Sequence, residues 1–234
     1  MFKLPWIILV FSVAFTVTFL APPLLSNPFA PYPLMKCGDV FDLLSPLIML
    51  PLYWLLFLNC CENSPNQREI LLFVILAGLW AMGQGMHLAA NSIGHLLSPG
   101  SNAYDLTYFY DEVLSHYLWH SAVILLAVLL LVRGWRHFYD EGAGFSWLVI
   151  LAGILHGITL GVIFIEGGTA LLGILFTLFL ILVIVIWGSN RLKTQPLVAF
   201  FFNSSVVGLL IMGGWVFFWG VWPIPQICDT LGIC

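Results

Sequence analysis

Seven apolar stretches of about 20 residues fill most of this 234-residue chain. A helix of that length crosses the hydrocarbon core of a bilayer and satisfies its own backbone hydrogen bonds there. Only 8% of the residues are charged, against about 25% in soluble domains, which excludes a water-soluble globule. We therefore predict one all-α domain over residues 1–234, a polytopic transmembrane helix bundle with no β structure of consequence. The predicted spans are residues 6–25, 40–60, 70–97, 108–132, 145–165, 169–188 and 197–222.

The distribution of lysine and arginine predicts the orientation of the chain in a plasma or inner membrane. Six of the seven basic residues lie at the N-terminus or in even-numbered connections, and Lys36 alone lies on the other side. Because basic residues are enriched in cytoplasmic loops, we predict an N-terminus inside and a C-terminus outside. Cys37, Cys228 and Cys234 then face the oxidising side, where Cys228–Cys234 is a candidate disulfide.

The third predicted span carries a polar stripe near its outer end. His87, Asn91 and His95 follow one another at intervals of four residues, and Gln84 precedes His87 by three. At about 100° per residue, these side chains share one face of a helix. The third span therefore presents imidazole and amide groups to a neighbouring helix.

The fourth predicted span carries a matching stripe. Glu112, His116 and His120 are also spaced by four residues, and Asp111 and Ser115 lie beside them in sequence. Because a short loop joins the two spans, we expect the two stripes to face each other across the bundle.

His156 on the fifth predicted span brings an imidazole from a third helix. Like His87 and His116, it lies about eight to ten residues from the outer end of its span. At 1.5 Å per residue, all three histidines lie roughly 12–15 Å below the outer surface. His156 also adjoins Gly157, the middle of a Gly-x3-Gly-x3-Gly row that predicts close helix packing.

Such a cluster predicts a metal site in the outer half of the bilayer. Ionisable side chains within hydrocarbon cost several kcal/mol each, and they mark ion pathways, proton relays or metal sites. Imidazole and carboxylate ligands suit zinc, copper and iron. Zinc is our first choice and copper or iron the next, because nothing in the sequence requires redox chemistry. The predicted ligands are His87, His116, His120 and His156, with His95 and Glu112 as alternates.

The predicted function is metal-dependent hydrolysis of a membrane lipid or a small apolar substrate. No loop is large enough to recognise a soluble macromolecule, and seven basic residues are too few to follow a nucleic acid. Metal-bound water would be the nucleophile. Asp111 or Glu112 would take its proton, and Ser115 or Asn91 would stabilise the developing oxyanion.

The same residues suit other classes of function. A copper or iron centre would oxidise a small apolar substrate. Histidines spaced by four and eight residues, roughly 6 and 12 Å apart, allow one haem but do not favour two stacked haems. A proton-coupled transporter would use the histidines and acids as a relay, although the sequence lacks the paired broken helices typical of that class. As an accessory subunit of a larger membrane complex, the chain would use these polar groups only to join helices.

Overall fold

The computed structural model describes residues 4–135, 144 and 146–224, and 81% of the structure is helical. The predicted Cys228–Cys234 disulfide lies outside the described residues. The α-helices of the described part are α1 Leu4–Leu20, α2 Cys37–Leu43, α3 Ser45–Asn59, α4 Gln67–Gly94, α5 Asn102–Tyr108, α6 His116–Gly134, α7 Trp147–Glu166, α8 Ala170–Trp187 and α9 Pro196–Trp219. A π-helical segment, Phe109–Ser115, joins α5 to α6 without a break.

The described residues contain six helical stretches that are long and apolar enough to cross a membrane. Two of these stretches combine shorter helices: Cys37–Asn59 contains α2 and α3, and Asn102–Gly134 runs from α5 to α6. The other four are α4, α7, α8 and α9. The chain is thus a multi-pass helical bundle, as its apolar stretches predict. The first predicted span corresponds to α1, which is apolar but has 17 residues, so the count of seven stays a prediction, as does the orientation.

Helix α1 nevertheless packs inside the bundle. Its Phe11 ring meets Tyr53 of α3 edge to face, with centroids 4.7 Å apart. Its Phe15 ring lies 4.4 Å from the imidazole of His156 on α7. Both phenylalanines are fully buried, so α1 supplies part of the core between α3 and α7.

The glycine row of the fifth span packs against α9, which confirms the predicted close approach. A Cβ atom added at Gly157 would lie 2.6 Å from the carbonyl oxygen of Ser204. One added at Gly153 would lie 2.6 Å from the Cβ atom of Asn203. Both separations are shorter than a normal carbon contact, so α7 and α9 touch through their backbones.

The connection after α1 contains a short antiparallel hairpin, the one β element of the described residues. Strand β1 is Pro28–Phe29 and strand β2 is Tyr32–Lys36. Prolines at positions 28, 31 and 33 favour extended backbone, both in themselves and in the residues that precede them. The fold is therefore nearly all-α, with this hairpin at the end of the bundle where α2 begins and α4 ends.

The opposite end of the bundle holds a buried cation that is fully paired. Arg133, near the end of α6, forms an ion pair of 2.7 Å with Glu69 of α4. Its Nε atom donates to the carbonyl oxygen of Phe57 at 2.9 Å, and its Nη2 atom donates to the carbonyl oxygen of Asn63. These bonds tie α3, α4 and α6 together and leave the other end of the same helices to form the polar site.

Candidate functional site

A cavity of about 470 Å³ opens at the end of the bundle that holds the hairpin. Residues of α2, α4, the π-helical segment, α6 and α7 line it, together with the end of α1 and the connection that follows α1. The polar lining residues include Lys36, Asp39, Asp42, Gln84, His87, Asn91, Glu112, His116 and Glu166. The apolar lining includes Phe19, Trp119 and Ile163. Polar groups from five helical segments thus surround one space inside a membrane protein.

The polar face of α4 holds the two acids of α2 in place. Gln84 donates from its amide nitrogen to Asp42 Oδ1 at 3.1 Å and to Ser45 Oγ at 2.7 Å. About two turns further along α4, Asn91 donates to Asp39 Oδ1 at 3.1 Å. Asn91, predicted to stabilise an oxyanion, therefore already binds a carboxylate.

His87 lies between two carboxylates. Its Nδ1 atom is 2.7 Å from Asp111 Oδ1, in an ion pair rather than a well-aligned hydrogen bond. Its Nε2 atom is 3.8 Å from Asp42 Oδ2. The three side chains come from α4, the π-helical segment and α2, so the tertiary fold assembles them.

The π-helical segment determines which acid meets His87. Its hydrogen bonds join residues five apart, so Asp111 and His116 come onto one side, where an α-helix would align Glu112 with His116. Asp111 pairs with His87, while Glu112 lines the cavity separately. Ser115, predicted to stabilise an oxyanion, is buried and donates its hydroxyl hydrogen to the carbonyl oxygen of Asp111.

His116 contributes a ring nitrogen with a free lone pair. The residue lines the cavity but is only 8% exposed, and its ring centroid lies 5.0 Å from that of His87. Its Nδ1 atom is 3.1 Å from the carbonyl oxygen of Glu112. Because a carbonyl oxygen only accepts, Nδ1 carries the hydrogen and Nε2 is the acceptor of the neutral ring. No described residue forms a hydrogen bond with that Nε2 atom.

His120 lies deeper, behind His116. Their ring centroids are 5.6 Å apart, and His120 Nδ1 is 2.5 Å from the hydroxyl of Thr169. Gly167 closes this side of the site, because a Cβ atom there would lie 2.7 Å from a carbon of each imidazole. The turn between α7 and α8 therefore fits over the two rings only as glycine.

Two of the predicted metal ligands lie apart from this group. His156 is enclosed by phenylalanine rings and is 2.7 Å from Ser204 Oγ through Nδ1. Helix α7 turns this residue towards α1 and α9. Ten residues of helix, roughly 15 Å, also separate it from Glu166, which lines the cavity at the end of α7, so the predicted common depth does not bring His156 to the site. His95 ends α4 as an exposed residue, and its Nδ1 atom lies 3.4 Å from the carbonyl oxygen of Asn91.

Among the described residues, no three His, Cys, Asp or Glu side chains are arranged to hold one metal ion. Zinc requires all its ligand atoms within about 2.0–2.3 Å of one point. His87, His116 and His120 lie near one another, but their arrangement does not meet that requirement. The zinc, copper, iron and haem hypotheses stay predictions.

Three acids outside the predicted ligand set also line the cavity: Asp39, Asp42 and Glu166. Asp42 and Glu166 have a sequence signal, since each is an ionisable residue within or at the end of a span. Asp39 has none, because it lies in the connection before the predicted second span. Its place in the cavity lining and its contact with Asn91 show that it belongs to the site.

Comparisons of this chain with protein-family models, with curated proteins and with solved structures find no match. Its fold and site therefore define its class. It is a multi-pass helical membrane protein with a cavity of histidine and carboxylate side chains at one end of the bundle.

Proposed function

We propose that this chain is a membrane hydrolase whose acid–base centre is His87, held between Asp111 and Asp42. The observation that carries the proposal is the ion pair of 2.7 Å between His87 Nδ1 and Asp111 Oδ1 beside an open cavity. A carboxylate on one ring nitrogen fixes the orientation of the imidazole and stabilises its protonated form. The other nitrogen is then the catalytic one.

The distance on the far side of the ring suits a bound water molecule. His87 Nε2 and Asp42 Oδ2 are 3.8 Å apart, which is too long for a direct hydrogen bond but short enough for one water to bind both. His87 would take a proton from that water through Nε2 while the oxygen attacks a carbonyl carbon of the substrate. The imidazolium would then return its proton to the leaving group as the carbonyl–heteroatom bond breaks.

The substrate class follows from the position and lining of the cavity. The site lies at one end of helices that cross the membrane, and Phe19, Trp119 and Ile163 supply an apolar wall. Lys36, from the hairpin, is the lysine of the lining and suits the negative charge of a tetrahedral intermediate. We infer an ester or amide of a membrane lipid or of a small apolar molecule.

Hydrolysis is tested with Asp111→Asn and with Asp105→Asn as the matched control. Asp105 lies on the same span but is exposed and outside the cavity lining. We expect Asp111→Asn to reduce turnover of fluorogenic lipid esters by about 100-fold or more, the usual contribution of general acid–base catalysis. Asp105→Asn should keep full activity. Equal activity of both variants would show that the centre is misassigned.

The metal requirement is tested on the same purified protein. Stoichiometric zinc, with turnover lost in a chelator and restored by zinc, would support the metal-dependent hydrolysis predicted from the sequence. Stoichiometric copper or iron would indicate an oxidase, and a Soret absorption band would indicate haem. Full turnover in metal-free protein supports the His87 mechanism.

A proton relay is the second candidate function, favoured by the row of three imidazoles. The ring centroids of His87 and His116 are 5.0 Å apart, and those of His116 and His120 are 5.6 Å apart. The row leads from the cavity to a fully buried ring. Proteoliposomes with an entrapped pH dye test it, because a relay predicts proton flux that His120→Leu abolishes and a hydrolase predicts none.

A further inference from the structure

The unused hydrogen-bonding groups of the cavity are mostly acceptors. Gln84 is 2% exposed and uses its amide nitrogen on Asp42 and Ser45, so its Oε1 atom has no partner within the described part of the chain. His116 offers the Nε2 lone pair. A buried polar atom without a partner is costly, so the site is built for a ligand that donates hydrogen bonds.

Two carboxylates add to this acceptor surface. Glu112 and Glu166 line the cavity and are half-buried, and neither carboxylate forms a hydrogen bond with another described residue. In total four carboxylates line the cavity, against one lysine and His87. Uncompensated charge at membrane depth is unfavourable. The complementary ligand is therefore a cation with several N–H donors.

The size of the cavity decides between an inorganic and an organic cation. A metal ion needs its ligand atoms to converge, and the described residues lack that arrangement. An ammonium group needs N–H···O distances of about 2.7–3.0 Å, which a wider cavity provides. A volume of about 470 Å³ is in the range of organic-ligand sites, roughly 300–1,000 Å³.

The apolar wall indicates what the ammonium group is attached to. Trp119 and Phe19 line the cavity and stack on each other, with centroids 5.1 Å apart and planes 11° apart. Aromatic rings favour a nearby cation and also cover methylene groups. We propose that the ligand of this cavity is an amphiphile with a protonated primary amine. That this ligand is also the substrate rests on the proposed function. The substrate would then be an ester or amide that bears this amine.

Two membrane components have this chemistry, a free long-chain amine and an aminophospholipid. Both present three N–H donors, which matches acceptors from α4, the π-helical segment, α6 and α7. An aminophospholipid also carries a phosphate, and the exposed Lys36 is placed in the lining to bind it.

Binding is measured on the full-length protein in phosphatidylcholine nanodiscs. The Asp111→Asn variant is measured beside the native protein, because its loss of turnover prevents hydrolysis from disturbing the binding measurement. The probes are dodecylamine, dodecyltrimethylammonium and dodecanol, which share one chain length. Dodecyltrimethylammonium keeps the charge without N–H donors, and dodecanol lacks the charge. We expect dodecylamine to bind at least tenfold more tightly than either. Equal binding of the three probes would overturn the proposal.

A matched pair of variants locates the binding site. Glu166→Gln removes one cavity charge and keeps the side-chain size, so dodecylamine affinity should fall roughly tenfold or more. Glu62→Gln, an exposed acid in the connection at the opposite end, should leave it unchanged. Unchanged affinity in Glu166→Gln, or release of the amine by stoichiometric zinc, contradicts an ammonium site.

Replacing part of the phosphatidylcholine in the nanodiscs by phosphatidylethanolamine identifies the source of the amine. Competition with dodecylamine indicates an aminophospholipid, and the absence of competition indicates a free amine.

The two proposals fail in different ways. Selective binding of dodecylamine without hydrolysis of its esters or amides would overturn the hydrolase and leave the ligand class intact. Hydrolysis of neutral lipid esters by the native protein, with no preference for amines in the binding measurement, would overturn the ligand class and leave the hydrolase intact.

Discussion

His116 and His156 are both buried histidines at a similar predicted depth, yet the fold gives them different surroundings. His116 is 8% exposed and faces a cavity with four carboxylates from three helical segments. His156 is 2% exposed and packs against the rings of Phe15 and Phe200, at 4.4 and 5.1 Å. The comparison shows that residue type and predicted depth do not determine which histidine faces a cavity. The packing of the helices around each ring does.

The two rings differ in whether their hydrogen-bond partners can change. The cavity offers His116 a ligand or water on Nε2 and acids nearby, so its hydrogen bonds can change during a reaction. The aromatic shell around His156 excludes such partners, and its hydrogen bond to Ser204 joins α7 to α9. We therefore assign chemistry to the cavity histidines and helix packing to His156.

The largest expected effect is on stability. His156→Ala removes a fully packed ring and leaves the Ser204 hydroxyl without its partner, which should cost about 2–4 kcal/mol. Thermal unfolding in detergent measures the loss. His87→Ala is the control, because this partly exposed ring should affect turnover and hardly affect the melting temperature. The reverse pattern would mean that the two regions have been assigned the wrong way round.

Gly167→Ala tests the cavity side of the comparison. The added methyl group would come within 2.7 Å of both the His116 and the His120 rings, so the rings must shift. A displacement of this size should reduce turnover roughly tenfold, with a smaller change in thermal stability. Gly168→Ala is not a suitable control because Gly168 has a φ of +64°. Gly85→Ala, where the new methyl group meets nothing within 4 Å, should retain full activity.

The smallest expected effect concerns the hydrogen bond of the packed histidine. Ser204→Ala removes the hydroxyl that His156 Nδ1 contacts at 2.7 Å. Stability should fall by about 1 kcal/mol, less than for His156→Ala, with turnover and amine binding unchanged. Ser204→Cys restores a weak hydrogen-bonding group and should recover part of the loss. A defect in turnover at unchanged stability would assign His156 and Ser204 to the reaction.

The sequence by itself determined six of the seven predicted spans and the polar face of α4. An apolar run of sufficient length must form a helix in a bilayer, because no other backbone form satisfies its hydrogen bonds there. Gln84, His87 and Asn91 line the same cavity because spacings of three and four residues place side chains on one face of any α-helix. Both properties are local, so they are independent of how the helices pack.

The tertiary structure alone decided which of those side chains meet. The π-helical segment turns Asp111 rather than Glu112 towards His87, and α-helical periodicity cannot predict that change of register. Asp39 joins the site through Asn91, a residue 52 positions away in sequence. His156 lies outside the site, beside the glycine row through which α7 packs against α9. Contacts of this kind depend on how helices pack around one another, and the spacing of residues along a single helix does not contain that information.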